Sequence, residues 1–161
     1  DNPLYWDLHI GMSSCTGESV VASSYLSSQG SASYRASNIK DWNHETAWVE
    51  GVKGYGIGEW IEFQDISADG TITAINILNG YVKSDKAWSE NARVKRLKVY
   101  RDGRPLCILE LQNSRSLQTF GLQWAGDCSH INKLRFEILE VYPGTKYQDT
   151  VISEINFTNV V

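Results

Sequence analysis

Apolar and polar side chains alternate with a period of two along most of this chain, which restricts it to folds built from half-buried strands. Lys133-Leu134-Arg135-Phe136-Glu137-Ile138 alternates strictly, as a strand does when one face lies on a core and the other on water. Glu59-Trp60-Ile61-Glu62-Phe63 and Arg96-Leu97-Lys98-Val99-Tyr100 fit the same template. Residues 71–78 are apolar on both faces and read as a central strand. Segments 20–24, 104–111, 117–123 and 151–157 bring the total to about eight strands. Asp102-Gly103 falls between two of these runs and is a two-residue hairpin signal, and Asp69-Gly70 is a further turn. No amphipathic helix longer than about three turns is visible. The expected fold is all-β: an antiparallel sandwich or barrel.

Composition supports this reading. Six Trp, eight Tyr and thirteen Gly stand against one Met and three Pro. A chain of 161 residues is expected to form one domain, 1–161, large enough to bury a core without metals or disulfides. Residues 1–19 read as an N-terminal arm docked on it through Tyr5 and Trp6. The net charge of -4 argues against a nucleic-acid partner, and Arg93-Val94-Lys95-Arg96 suits the wet face of a strand. No apolar run approaches the roughly 18 residues of a membrane helix. No signal peptide is visible, so either none exists or the chain is mature or trimmed, and the protein is expected to be secreted or cell-surface. Cys15, Cys107 and Cys128 make an odd count; one disulfide plus one free thiol is expected, with Cys107 and Cys128 as the pair.

Catalysis is not expected. His9, His44 and His130 are scattered, and His44-Glu45 lacks the second His of a zinc-protease helix. No Gly-x-Ser-x-Gly elbow occurs.

The segment Ala36-Ser37-Asn38-Ile39-Lys40-Asp41-Trp42-Asn43-His44-Glu45-Thr46-Ala47-Trp48 has a different character. An Asp, a Thr five residues later and the backbone between them offer oxygen ligands of the kind Ca²⁺ takes, roughly six to eight at a time. The segment cannot complete such a cage by itself. The far end of the chain, Val151-Ile152-Ser153-Glu154-Ile155, offers a second carboxylate.

Val21-Ala22-Ser23-Ser24, followed by Asn38-Ile39-Lys40-Asp41 and Thr46-Ala47-Trp48, resembles the opening of discoidin-like, coagulation-factor type C domains. Gly54-Tyr55-Gly56-Ile57-Gly58-Glu59-Trp60-Ile61, Asn79-Gly80-Tyr81-Val82-Lys83-Ser84 and Asn91-Ala92-Arg93-Val94-Lys95 resemble the bacterial NADase-type glycan-binding branch, as does the ending 141–155. The resemblance spans about residues 20–157 and implies a galactose-binding-like jelly roll, a glycan partner and a structural Ca²⁺. Carried over, Asp41 and Glu154 would give carboxylate oxygens, Thr46 its hydroxyl and carbonyl, and Ile39, Asn43 and Ser153 backbone carbonyls. Relatives usually have Gly after the loop Asp, where this chain has Trp42.

Residues 81–93 are expected to form a long connection between strands and to hold the ligand. Trp88 lies in a polar stretch without core periodicity and reads as the stacking surface. Tyr81, Lys83, Asn91 and Arg93 flank it as donors, with Tyr55 and Tyr147 as further exposed aromatics. Trp48 and Trp60 lie in strand patterns and read as core. The domain is expected to be a non-catalytic glycan-binding module, monomeric or part of a larger protein. A protein- or phospholipid-binding module of the same fold is the alternative.

Overall fold

The alternating segments pair with their apolar sides facing inward, and two five-stranded sheets result. The computed structural model describes residues 14–15, 19–66 and 70–160. In chain order the strands are β1 (Ser14–Cys15), β2 (Ser19–Ala22), β3 (Trp48–Val49), β4 (Trp60–Gln64), β5 (Thr71–Asn79), β6 (Arg93–Arg101), β7 (Arg104–Glu110), β8 (Gln118–Gly121), β9 (Leu134–Tyr142) and β10 (Val151–Val160). Among the described residues one α-helix, α1 (Asp85–Glu90), lies between β5 and β6, and 3-10 turns span Ala36–Lys40 and Gln123–Ala125. One sheet runs β1-β10-β5-β8 with β3 also paired to β10; the other runs β2-β4-β9-β6-β7. These strand pairings are all antiparallel, and the fold is the expected antiparallel β-sandwich.

The core lies between the sheets. Ile75 and Ile77 of β5 and Ile155 and Phe157 of β10 face Ile61 and Phe63 of β4, Leu97 and Val99 of β6 and Phe136 of β9, all fully buried. Phe157 sits edge-on to Phe63 at 4.9 Å between ring centroids and stacks with Phe136 at 6.2 Å, which adds to the area each ring buries. The β6–β7 hairpin turns on Asp102 and Gly103 at φ 47° and 81°, the two positive values a type I′ turn requires.

Several sequence readings are corrected. Trp48 is in the core, but Trp60 is not: it points to the outer face of its sheet, with the Arg135 guanidinium 3.7 Å above its ring. Ile61 and Phe63 take the inward positions, so the period of two puts Trp60 on the wet side. Cys107 and Cys128 are unbonded thiols rather than a disulfide. Both pack into the apolar interior, and burial pushes Cys107 up to about 11. Strands β1 and β3 are each two residues long, too short for alternation to reveal. Tyr5, Trp6 and Asp69 lie outside the described residues.

One buried side chain joins the sheets where the candidate site begins. Asn79, at the end of β5, donates from Nδ2 to the Val94 carbonyl at 2.6 Å and accepts from the Val94 N–H at 2.9 Å. It acts as a rung of ladder between strands of different sheets. Asn79→Ala leaves both Val94 groups without a partner in the interior. It is expected to lower the unfolding free energy by roughly 2–4 kcal/mol in urea denaturation.

Candidate functional site

The connection between β5 and β6 is ordered by hydrogen bonds to its own irregular backbone. Gly80 takes φ 83°, and a Cβ there would lie 2.7 Å from Trp88 Nε1 and 2.6 Å from Arg93 Cγ. Glycine is thus required twice, by conformation and by space. Ser153 of β10 donates to the Gly80 carbonyl and accepts from the Val82 N–H. Ser84 caps α1 by accepting from the Ala87 N–H at 3.1 Å. At the other end, Thr145 N–H donates to the Ser89 carbonyl, and the Lys146 and Tyr147 N–H groups donate to the Glu90 carbonyl. These bonds bring residues 145–147 against the helix.

Trp88 and Arg93 belong to this scaffold. The Trp88 indole N–H donates to the Asn79 carbonyl at 3.0 Å, and the ring packs against Leu78 and Val82. The Arg93 guanidinium covers it at 4.2 Å. Arg93 itself is buried and donates to the Trp88, Asn91 and Pro143 carbonyls and to Asn113 Oδ1. The expected stacking platform is therefore a plug beneath the loop, and the expected ligand cation holds that loop in shape.

Beside the plug is a cleft of about 360 Å³. Tyr81, Lys83 and Asn91, all expected site residues, line it together with Tyr147. The rest of the wall is Leu26, Gln29 and Tyr34 from the Ser-rich loop, Val49 of β3, Ser84, Lys86, Ala87 and Glu90 at the helix, and Asp149 before β10; the helix residues fall within the expected 81–93 connection, and the others do not. Tyr34 lies edge-on to Tyr81 at 6.4 Å, and Lys83 Nζ lies 4.5 Å from the Tyr81 ring centroid. The Tyr34 phenol is held above its ordinary range by burial first and the neighbouring Tyr81 second, with Lys83 opposing. It stays a hydroxyl donor at neutral pH. Asp149 is raised by burial. Tyr55 lies outside the cleft, and its carbonyl accepts from the Thr150 hydroxyl. The signal that suggested Trp88, an aromatic in a polar loop, is equally present at Tyr34.

The Asp41 loop is tied to the other end of the chain. Asp41 Oδ1 accepts from the Asn43 N–H, and Asp41 Oδ2 from the Thr46 hydroxyl. The Asn43 carbonyl accepts from Thr46 N–H and Oγ1. The loop closes on itself further than its sequence suggested. Glu154 is buried; its Oε1 accepts from the Trp42 N–H at 3.2 Å, and its Oε2 has no partner among the described residues. Burial, then the charge of Asp41, pushes Glu154 up to about 9. Trp42 sits at φ 57°, a left-handed conformation that Gly adopts without cost, so the loop keeps the path a glycine would take. An orphaned carboxylate oxygen beside a second carboxylate suits a hard cation. Two carboxylates with hydroxyl and carbonyl oxygens do not resemble a transition-metal set, and no cluster of three His, Cys, Asp or Glu stands together among the described residues. Ile39 lies buried in the 3-10 turn, while Ser153 uses its hydroxyl for the Gly80 turn.

The profile of the NAD glycohydrolase translocation F5/8 type C domain family matches residues 13–158. The chain belongs to that family. Solved structures share the fold of this translocation F5/8 type C domain at low identity. The module CpGH89CBM32-5 from Clostridium perfringens, in complex with GalNAc-β-1,3-galactose, is 17% identical with a TM-score of 0.63, covering 87% of this chain and 94% of that one. The family 32 carbohydrate-binding module of NanJ from C. perfringens, in complex with galactose, is 12% identical with a TM-score of 0.61, covering 89% and 97%. The mycobacterial arabinofuranosyltransferase AftD matches at 18% identity and a TM-score of 0.64 over 91% of this chain, but the chain spans only 11% of AftD. No curated protein matches the sequence.

In this type C domain Trp88→Ala should act on stability. Removing a half-buried indole and its hydrogen bond is expected to cost about 2 kcal/mol or more, read as a lower Tm in thermal denaturation.

Proposed function

We propose that this domain is a non-catalytic glycan-binding module that holds its sugar in the cleft walled by Tyr34, Tyr81 and Tyr147. The observation that carries the reading is the cleft itself. It is built from ordered loops, floored by apolar Leu26, Val49 and Ala87, and edged by polar groups. Carbohydrate needs that combination: an apolar wall for its C–H face and fixed polar groups for its hydroxyls. The sandwich likeness to modules solved with galactose and GalNAc-β-1,3-galactose supports it at the level of fold. We place the domain outside the cell as one module of a larger protein, and no helix among its described residues is long and apolar enough to cross a membrane.

Tyr147 is exposed and carries no packing role in the core. Tyr147→Ala is expected to weaken glycan binding about fivefold, the equivalent of roughly 1 kcal/mol of aromatic contact, with Tm unchanged. Titration calorimetry on a glycan selected by array reads the first quantity, and unaltered affinity moves the ligand out of the cleft. The same pure protein is expected to release nothing from NAD or from chromogenic glycosides.

The reading includes one structural Ca²⁺ held by Asp41 and Glu154, with Thr46 and carbonyls of Ile39, Asn43 and Ser153 as the remaining oxygens. The orphaned Glu154 Oε2 supports it. A cation bound only by the folded state stabilises that state by about 2.7 kcal/mol at a hundredfold excess over its dissociation constant. Tm should rise with Ca²⁺, fall with EDTA, and lose both responses in Asp41→Ala. A Tm indifferent to EDTA removes the ion from the proposal.

A phospholipid surface is the second reading. One observation favours it: Tyr25, Val52 and Ile57 are 59%, 41% and 57% exposed on the loops that follow β2 and β3. Liposome co-sedimentation run beside the glycan array separates the two.

A further inference from the structure

The charges around the cleft are arranged unevenly. Lys83 and Lys86 approach it from the N-terminal side of α1, and neither takes part in an ion pair among the described residues. Each carries an ammonium on a flexible stem, and Lys83 also lies over the Tyr81 ring. The Ala87 N–H in the first turn of α1 is not free to receive an anion, because Ser84 already caps it. Glu90 and Asp149 line the cleft toward the C-terminal end of α1, where the Ala92 N–H donates to the Asp149 carbonyl. Glu90 has Lys146 as a charged neighbour, whereas Asp149 has no ion pair among the described residues. Tyr34 lies within the electrostatic reach of both Lys83 and Asp149, with Tyr81 and Tyr147 also near. A ligand beside Tyr34 therefore meets unpaired positive charge at one end and an acceptor carboxylate at the other.

Resting on the glycan reading of this cleft, we propose that it selects a sugar bearing a single carboxylate, a uronate or a sialate. Lys83 and Lys86 hold the carboxylate, and Asp149 and the Tyr34 hydroxyl hold ring hydroxyls on the far side. Ammonium–carboxylate bonds are stronger than ammonium–hydroxyl ones, so a neutral sugar leaves the two lysines underused. A multiply charged ligand is disfavoured in turn, because its further charges would face Asp149 and Glu90, and like charges brought together discriminate against the wrong partner. Asp149 is partly withdrawn from water, and burial raises it from its ordinary value, which makes it a strong acceptor for hydroxyl donors once ionised.

The test is an array carrying uronate-terminated, sialate-terminated, galactose-terminated and sulfated oligosaccharides, followed by calorimetry on the strongest binder and its methyl ester. One acid-terminated class is expected to bind best, and the uronate and sialate arms tell which. Esterification and the double variant Lys83→Gln, Lys86→Gln are each expected to weaken that binding about three- to tenfold, as loss of rim charge does. The double variant should weaken acid-terminated binding more than galactose-terminated binding, so that the preference narrows, and Asp149→Asn should weaken both classes. Raising salt from about 0.05 to about 0.5 M should erode the preference. Equal binding of neutral and acidic sugars, strongest binding of sulfated chains, or an indifferent lysine variant overturns the charge assignment and leaves glycan binding intact. Failure of every glycan to bind overturns both.

Discussion

The start of the last strand holds three loops in place. Thr150, Ser153 and Glu154 are polar, yet all three are buried. Each reaches a different segment. The Thr150 hydroxyl donates to the Tyr55 carbonyl, and its N–H donates to Glu50 Oε1. Ser153 clamps the Gly80–Val82 turn from both sides. Glu154 receives the Trp42 N–H. The loops after the first 3-10 turn, after β3 and after β5 are far apart in sequence and are registered against one another because they bond to neighbouring positions of a single strand. Its pairing with β3 and β5 fixes that strand in the sandwich. Ladder geometry is thereby passed to segments that have no ladder of their own.

The buried polar residues follow from this. Irregular backbone inside a protein must still satisfy its N–H and C=O groups. Here side chains replace the missing strand partners. Glu50 is fully buried and accepts from both Val52 and Thr150 N–H groups, yet burial still outweighs these bonds and raises it above the ordinary carboxylate range. Its side chain also fills the space beside Gly56, where a Cβ would lie 2.5 Å from Glu50 Cγ and 2.6 Å from its carboxyl carbon. Asn79 and Arg93 do the same for the β5–β6 connection. A group taken out of water at this cost is worth keeping only when it is bonded.

The sandwich was legible in the sequence because period two is a direct imprint of a half-buried sheet. Most of the eight longer strands carry it, and Asp102-Gly103 carries its turn chemistry as well. Trp60 shows where the pattern misleads: alternation tells that one face is wet but not which, and a large aromatic biases the choice inward. The cleft was half legible. Tyr81, Lys83, Asn91 and Tyr147 lie in segments whose loop character shows in the sequence. Tyr34, Gln29 and Asp149 come from elsewhere in the chain and reach the cleft only through tertiary registration, which no local window contains. Trp88 was misplaced because exposure was inferred from polar neighbours. A six-residue helix is too short for periodicity to reveal, and it turns that ring inward.

In the proposed site, the division between scaffold and ligand surface follows hydrogen-bond employment more closely than residue type. Trp88, Arg93 and Asn79 have the chemistry of recognition residues, but their donors are already engaged with carbonyls of the loop they support. A group so committed cannot turn to a sugar without leaving buried backbone unsatisfied, which costs more than a typical net hydrogen bond returns. Lys83, Lys86, Tyr147 and Asp149 carry no such side-chain duty in the interior. They stand on backbone that the committed residues keep rigid, so little order is lost when a ligand arrives. Sequence offers both sets as polar and aromatic residues in loops. Only the geometry separates those that build the cleft from those left free to use it.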